Sequence, residues 1–276
     1  KIFMFSLFVN KPLLSEWSSQ WLLDAFTWSL ENFDADQFYN HTVLVLPTDE
    51  YSPGRVDSPH GMARLIVDRV KGYAGISHWP TLITDQTSCS LTTPAQVEIK
   101  GALRGPAGIS DESIDDAHRL LIPYHPQQIN NPEGLIASFA HIFAHYMGQM
   151  AKDAPPGGGE YWPHVTELLA VYLGFGIMFA NSAFSFPVRS CGSCGSPPAQ
   201  RRSYLTQYES TYALAIFSVL KGLPNKQVLG HLKKALRPFF RNSVRQIQTK
   251  QEELERLKSL SLMPTPEAAS PAAEFS

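Results

Sequence analysis

Between Leu168 and Val188 the chain carries no charged residue. A run of that length reads either as a span across a bilayer or as the central rod of a helical core. Glu167 opens it, Asn181, Ser182 and Ser185 interrupt its second half, and no basic anchors flank its N-terminal side. The expectation is a buried central helix rather than a membrane span. Such a rod has to be covered on all sides. With 276 residues, 43% of them hydrophobic, the chain can supply the cover as one large domain or two small ones.

A second apolar segment precedes it, from Asn131 to Met150. Asn131 suits an N-cap, Pro132 the first helical position, and Glu133 the positive end of the dipole. On the predicted helix His141 and His145 stand four apart, so both imidazoles leave the same face one turn apart. Gly134, Ala137, Ser138, Ala144 and Gly148 share that face, and their small size would let another helix approach closely. The loop Pro155–Gly159 follows, then His164 and Glu167 at the head of the uncharged run. Two histidines and a carboxylate on neighbouring helices make a three-ligand zinc set with a fourth position open.

The stretches LIASFAHIFAHYM and VTELLAVYLGFGIMFANSAF resemble the zincin metallopeptidases, whose signature is His-Glu-x-x-His on a helix with a third ligand on a later one. In wording they are similar to an uncharacterised, mostly bacterial group of zincin-like sequences with the patterns AHELAHYL and LTDLLAVFLGLGIF. The resemblance runs from about Trp17 to about Phe240, and the two helices carry its specific motifs. It implies a mostly helical zincin-like core with a small twisted β-sheet, zinc held by His141, His145 and Glu167, and an extended peptide along the strand before the histidine helix. The departures are equally specific. Ile142 stands where the general-base glutamate belongs, and losing a positioned base costs roughly 10²–10⁴-fold in rate. If Glu167 matches the aspartate of the family's Glu-x-x-x-Asp pattern, Pro163 falls on the ligand position. Either Glu167 takes the metal, or His164 does, or the site is empty.

The sequence therefore leaves three functions open. One is a catalytically impaired zincin-like protein, keeping a zinc site and binding a peptide or protein partner. Another is an active zinc-dependent hydrolase with a non-standard base, Glu160 or Glu167. The third is a metal-free structural or interaction protein. A formal net charge of −2 with 17% charged residues gives no basic stripe for nucleic acid. Three cysteines, an odd number, argue against a disulfide scaffold and for a reducing, cytoplasmic location. Cys191 and Cys194 form one Cys-x-x-Cys, half of a zinc ribbon, and Cys89 reads as a small buried residue.

The remaining pattern is α+β. Helices are predicted over Ser15–Phe33, with its tryptophans in the core, and from Pro59 to Gly72. Strands are predicted at Thr42–Leu46, Thr81–Thr84, Gln96–Lys100 and Leu120–Tyr124. Arg201 and Arg202 are predicted to open a further helix running through Tyr204 and Leu205 to Leu220, and Asn225 to cap another, interrupted near Pro238. Residues 1–14 form an apolar N-terminal segment, 15–243 the zincin-like domain, 244–262 a helical extension, and 263–276 a Pro/Ala/Ser-rich disordered tail.

Overall fold

The computed structural model describes residues 13–51, 54–85, 97, 99–110, 113–181, 186–187, 200–201 and 203–260. The N-terminal apolar segment up to residue 12, Cys89, the Cys191/Cys194 pair and the tail from 261 onward lie outside them.

Helix α1 (Glu16–Asn32) begins where its cap predicts, with the Ser15 hydroxyl accepting from the Ser18 N–H. Trp21 and Trp28 sink into the core, whereas Trp17 stays exposed, so the core placement expected for all the tryptophans fails at this one. A π-helical turn (Gln37–His41) follows α1. Thr42–Leu46, expected as a strand, joins no sheet. Leu44 and Val45 are buried, but the Val45 N–H donates to the Gly174 carbonyl at 2.9 Å, so its partner is a helix rather than another strand.

Helix α2 (Pro59–Ala74) is capped by Ser58 and stopped by Gly75, whose φ of 74° is the left-handed conformation that ends many helices. Strands β1 (Thr81–Asp85) and β2 (Leu120–Tyr124) pair in parallel, Thr81 opposite Leu120 and Asp85 opposite Tyr124. The described residues of Gln96–Lys100 form no strand, although Gly101 bridges Gly108 just beyond them. Helix α3 (Pro132–Gln149) starts with Asn131 Oδ1 accepting from the Gly134 N–H at 3.1 Å. Its Tyr146 hydroxyl donates to the Leu121 carbonyl, fastening α3 to β2.

The segment that contains most of the uncharged run forms α4 (Trp162–Ala170) and α5 (Gly176–Asn181), joined by a wide, π-like turn (Val171–Phe175) that is kinked at Gly174, where the backbone leaves helical geometry. Every residue from Leu168 to Ala180 is buried, and 89% of its most apolar window lies inside the protein. The apolar surface that could have met lipid meets α1, α3 and α6 instead. The π turn has one cause that can be read locally. Gly174 has φ of +103°, and a Cβ there would come within 2.2 Å of the Val43 carbonyl oxygen. Only glycine lets the rod bulge against the extended segment that crosses it.

Beyond the rod, β3 (Phe186–Pro187) and β4 (Gln200–Arg201) form a short antiparallel pair. Helix α6 (Gln207–Leu220) does not open at Arg201, which pairs in β4, but six residues later, at a reciprocal capping box between Thr206 and Glu209 that satisfies its first N–H groups. Then come α7 (Asn225–Leu229), α8 (Arg237–Gln248) and α9 (Gln251–Ser259). Pro238 lies in the first turn of α8, where a proline starts a helix rather than interrupting one. The boundary expected between 243 and 244 falls inside α8, and the helix expected through 262 breaks at Thr249–Lys250. Val244, Ile247, Leu254 and Leu257 belong to the same core as the rod, so this extension packs as part of the body. The α+β class read from the sequence holds, as a mostly helical body with a small sheet.

One buried cation ties the first half of the chain together. Arg104 is 2% exposed. Its guanidinium donates to Ala74 O at 3.0 Å, Phe33 O at 3.3 Å and Thr42 Oγ1 at 2.9 Å. Ala74 ends α2 and Phe33 follows α1, so the charge sits at the negative ends of two helix dipoles. Its Cζ also lies 5.3 Å from the centre of the Tyr172 ring, and the Tyr172 hydroxyl donates to the same Phe33 carbonyl. Replacing Arg104 with methionine keeps the volume but leaves these acceptors without their donor. We predict that Arg104→Met lowers the unfolding free energy by about 3–5 kcal/mol, read from urea denaturation midpoints.

Candidate metal site and the pocket beside it

Stepping along α3, the buried residues Leu135, Ile136, Phe139, Ala140, Phe143 and Met147 define the face turned to the core. Ala137, Ala144 and Gly148 continue that arc and are buried as well. A Cβ on Gly148 would come 3.2 Å from the Trp162 ring and 3.4 Å from Leu169, so the small side chains do let α4 approach closely, as the sequence suggests. The histidines stand at the edge of this face and beyond it. His141 is half-buried. His145 is exposed, with Nε2 3.1 Å from the Gln149 amide nitrogen. Ile142 is partly buried and packs against the core.

Glu167 points elsewhere. It is 1% exposed, and its carboxylate accepts three hydrogen bonds from the chain that returns before α6. Ser203 Oγ donates to Oε2 at 2.8 Å, Leu205 N to Oε2 at 2.8 Å, and Tyr204 N to Oε1 at 2.9 Å. An acid that collects successive backbone N–H groups acts as an anchor, orienting the turn into the Thr206 cap of α6. His164, the other candidate third ligand, is half-buried in a cluster of rings. Its centroid lies 5.5 Å from Tyr161, 5.4 Å from Tyr204 and 6.1 Å from Trp21. Burial pushes its pKa down, against a smaller opposing pull from Glu209, so the imidazole is held neutral.

The expected ligands are therefore distributed over separate surroundings. Among the described residues no group of three or more His, Cys, Asp or Glu is arranged to hold a metal ion. A three-ligand zinc site needs donors whose lone pairs converge on one point. His141, His145 and Glu167 do not fit that requirement, because the Glu167 oxygens serve residues 203–205 and His145 faces outward. His164 lies in a cluster of rings of its own, and no set of three that includes it is found among the described residues.

Two hollows flank these helices. The larger, about 1000 Å³, lies between the loop from Pro47 to Asp57 and the first turns of α2 and α3. Val56, Met62, Leu65 and Ile136 give it an apolar floor, with Arg69 and Glu133 among its charged residues. The smaller, about 320 Å³, is lined by Trp17, Trp21, Glu160, Tyr161, His164, Leu205 and Glu209. The sequence reading assigned Trp17 and Trp21 to the core and missed this second hollow. The available signal was the position of Trp17 in the first turn of its helix, next to Glu16.

Two outcomes follow from this geometry. Glu167→Gln places an amide NH₂ against N–H donors and should destabilise the fold by about 1–3 kcal/mol in urea unfolding, while leaving zinc content unchanged. The second concerns acid. His164 and His78 are both held below the ordinary value of 6.5, chiefly by burial. For a depressed histidine the unfolded chain binds more protons below that value, so the contribution is intact above it and lost as pH falls through it. Urea midpoints should therefore drop between about pH 7.5 and about pH 5.5, and His164→Gln should reduce the drop.

No protein-family model matches the chain, and neither a curated protein nor a solved structure matches it either.

Proposed function

We propose that this chain is a non-catalytic, zincin-like protein that works by binding a peptide or protein partner. The observation that carries the reading is the engagement of Glu167. The acid that would complete the metal set is instead the hydrogen-bond anchor of residues 203–205. Ile142 supports it from the other side, since an apolar side chain packed on the core cannot accept a proton from water. The groove between the loop from Pro47 to Asp57 and the starts of α2 and α3 suits such a partner. An apolar floor with charged groups around it is the usual composition of a surface that takes an extended segment. A cytoplasmic setting is part of the proposal, and rests on the odd number of cysteines.

The test uses tag-free protein purified without added metal. We expect substoichiometric zinc by elemental analysis and no chelator-sensitive cleavage of casein. Ile142→Glu, which rebuilds the zincin motif in sequence, should gain neither metal nor activity, because the third ligand is still missing. Stoichiometric zinc together with chelator-sensitive hydrolysis by the wild-type chain would overturn the reading.

A further inference from the structure

Trp17 is the most exposed of the large apolar side chains among the described residues, at 59%. An exposed indole scattered singly would need no explanation, but one grouped with other rings around a hollow has the composition of a contact surface. The ring is also held in company. It lies 6.4 Å from Trp21 at an interplanar angle of 15°, and 5.7 Å from Tyr161, which in turn lies 5.6 Å from Trp21. These rings, with His164 and Leu205, enclose the 320 Å³ hollow, and Glu160 and Glu209 also line it.

Its walls are fixed by the fold. Trp21 Nε1 donates to Pro156 O at 2.9 Å, fastening α1 to the loop before α4. The Tyr161 ring lies over Gly157, whose φ is +89° and whose place no Cβ could take without meeting that ring. Glu209 is oriented by its capping box, its Oε2 accepting from the Thr206 N–H at 2.9 Å. Aromatic faces carry negative potential, and so do the two carboxylates. None of the residues lining the hollow is a lysine or arginine, and neither acid is in an ion pair among the described residues. His164 adds no positive charge while it remains neutral.

The geometry points to a pocket for one arginine side chain presented by a partner peptide or protein. Its guanidinium would lie flat on the open face of Trp17 and fork onto Glu160 or Glu209. Arginine fits better than lysine because a planar, weakly hydrated cation stacks on an indole and meets a carboxylate along two parallel hydrogen bonds. The volume suits one long side chain. This inference rests on the binding function proposed above, and adds the chemistry the partner brings.

The probe is an acetylated, amidated Gly-Arg-Gly peptide, titrated calorimetrically into the full chain beside its citrulline and lysine counterparts. Citrulline keeps the shape and loses the charge. We expect saturable binding of the arginine peptide, about tenfold weaker for citrulline and weaker for lysine. In the Glu160→Gln, Glu209→Gln double variant the arginine peptide should also bind about tenfold more weakly. Glutamine at 209 retains an acceptor for the cap of α6, so folding is preserved. Trp17→Ala, at an exposed position, should weaken the arginine peptide without changing the melting temperature. Equal affinity for arginine and citrulline or for arginine and lysine, indifference to these variants, or no saturable binding at millimolar peptide would overturn the pocket. Chelator-sensitive hydrolysis would overturn the binding function instead, whatever the peptides do here.

Discussion

The fold depends on a positive charge that has no carboxylate among its hydrogen-bond acceptors. Arg104 is buried, and its guanidinium donates to carbonyls at the C-terminal ends of α1 and α2 and to a threonine hydroxyl. Burying a cation this way is tolerable only because helix C-termini gather unpaired carbonyls and partial negative charge. The arrangement settles how α1, α2 and the segment at Thr42 sit relative to one another. Tyr172 then links the group to the central rod, through its ring beneath the guanidinium and its hydroxyl on the Phe33 carbonyl. The same device recurs. Lys221 Nζ donates to the Phe38 and Tyr39 carbonyls, and Lys71 Nζ donates to Trp79 O at 2.6 Å. In each case a long cationic side chain satisfies acceptors that helix ends and turns leave over.

The rod is the second constraint, and it explains the π turn. An uninterrupted α-helix from Trp162 to Asn181 would have to pass the extended segment around Val43 without touching it. The rod opens at Gly174 instead, and the freed carbonyl accepts from the Val45 N–H. A distortion inside a helix becomes a backbone contact between two parts of the chain far apart in sequence. Its cost in strain is offset because glycine occupies the one position where φ turns positive.

Much of this architecture was legible in the sequence. Caps at Ser15, Ser58 and Asn131 act locally through their own side chains, and those helices start where the residues say; at α6 the Thr206 cap is passed over for the arginines before it. Leu120–Tyr124 is the strand its apolar run suggests, although nothing in that run shows the alternating burial it adopts. What failed was whatever depended on a partner. Thr42–Leu46 has the composition of a buried strand and is buried, but composition cannot say that its neighbour is a bulged helix. Arg104 sits in a glycine-rich stretch that reads as exposed loop, and nothing in Leu103–Gly105 announces that two helix ends meet there. Likewise His141 and His145 do share a helical side, as their spacing requires. Spacing alone could not place that side at the rim of the α3–α4 contact instead of within it.

Glu167 shows why the candidate site was the hardest part to read. A buried acid at the head of an apolar helix has few ways to be stabilised: a metal, a cation, or a set of hydrogen-bond donors. The sequence offers two histidines nearby in the chain, and the eye supplies the metal. The fold supplies Ser203, Tyr204 and Leu205, which lie well beyond the rod in sequence and carry no motif. Backbone N–H groups are invisible to residue-type reasoning, yet two of them and a hydroxyl from one turn help to stabilise the buried carboxylate. Once Glu167 is spent in that way, α3 and α4 no longer need to aim polar groups at each other. Their contact can close on alanine and glycine, which is how it closes. The histidine left at the outer edge then faces solvent, and the polar chemistry of this end of the molecule moves one helix over, to the ring-lined hollow between α1, α4 and α6.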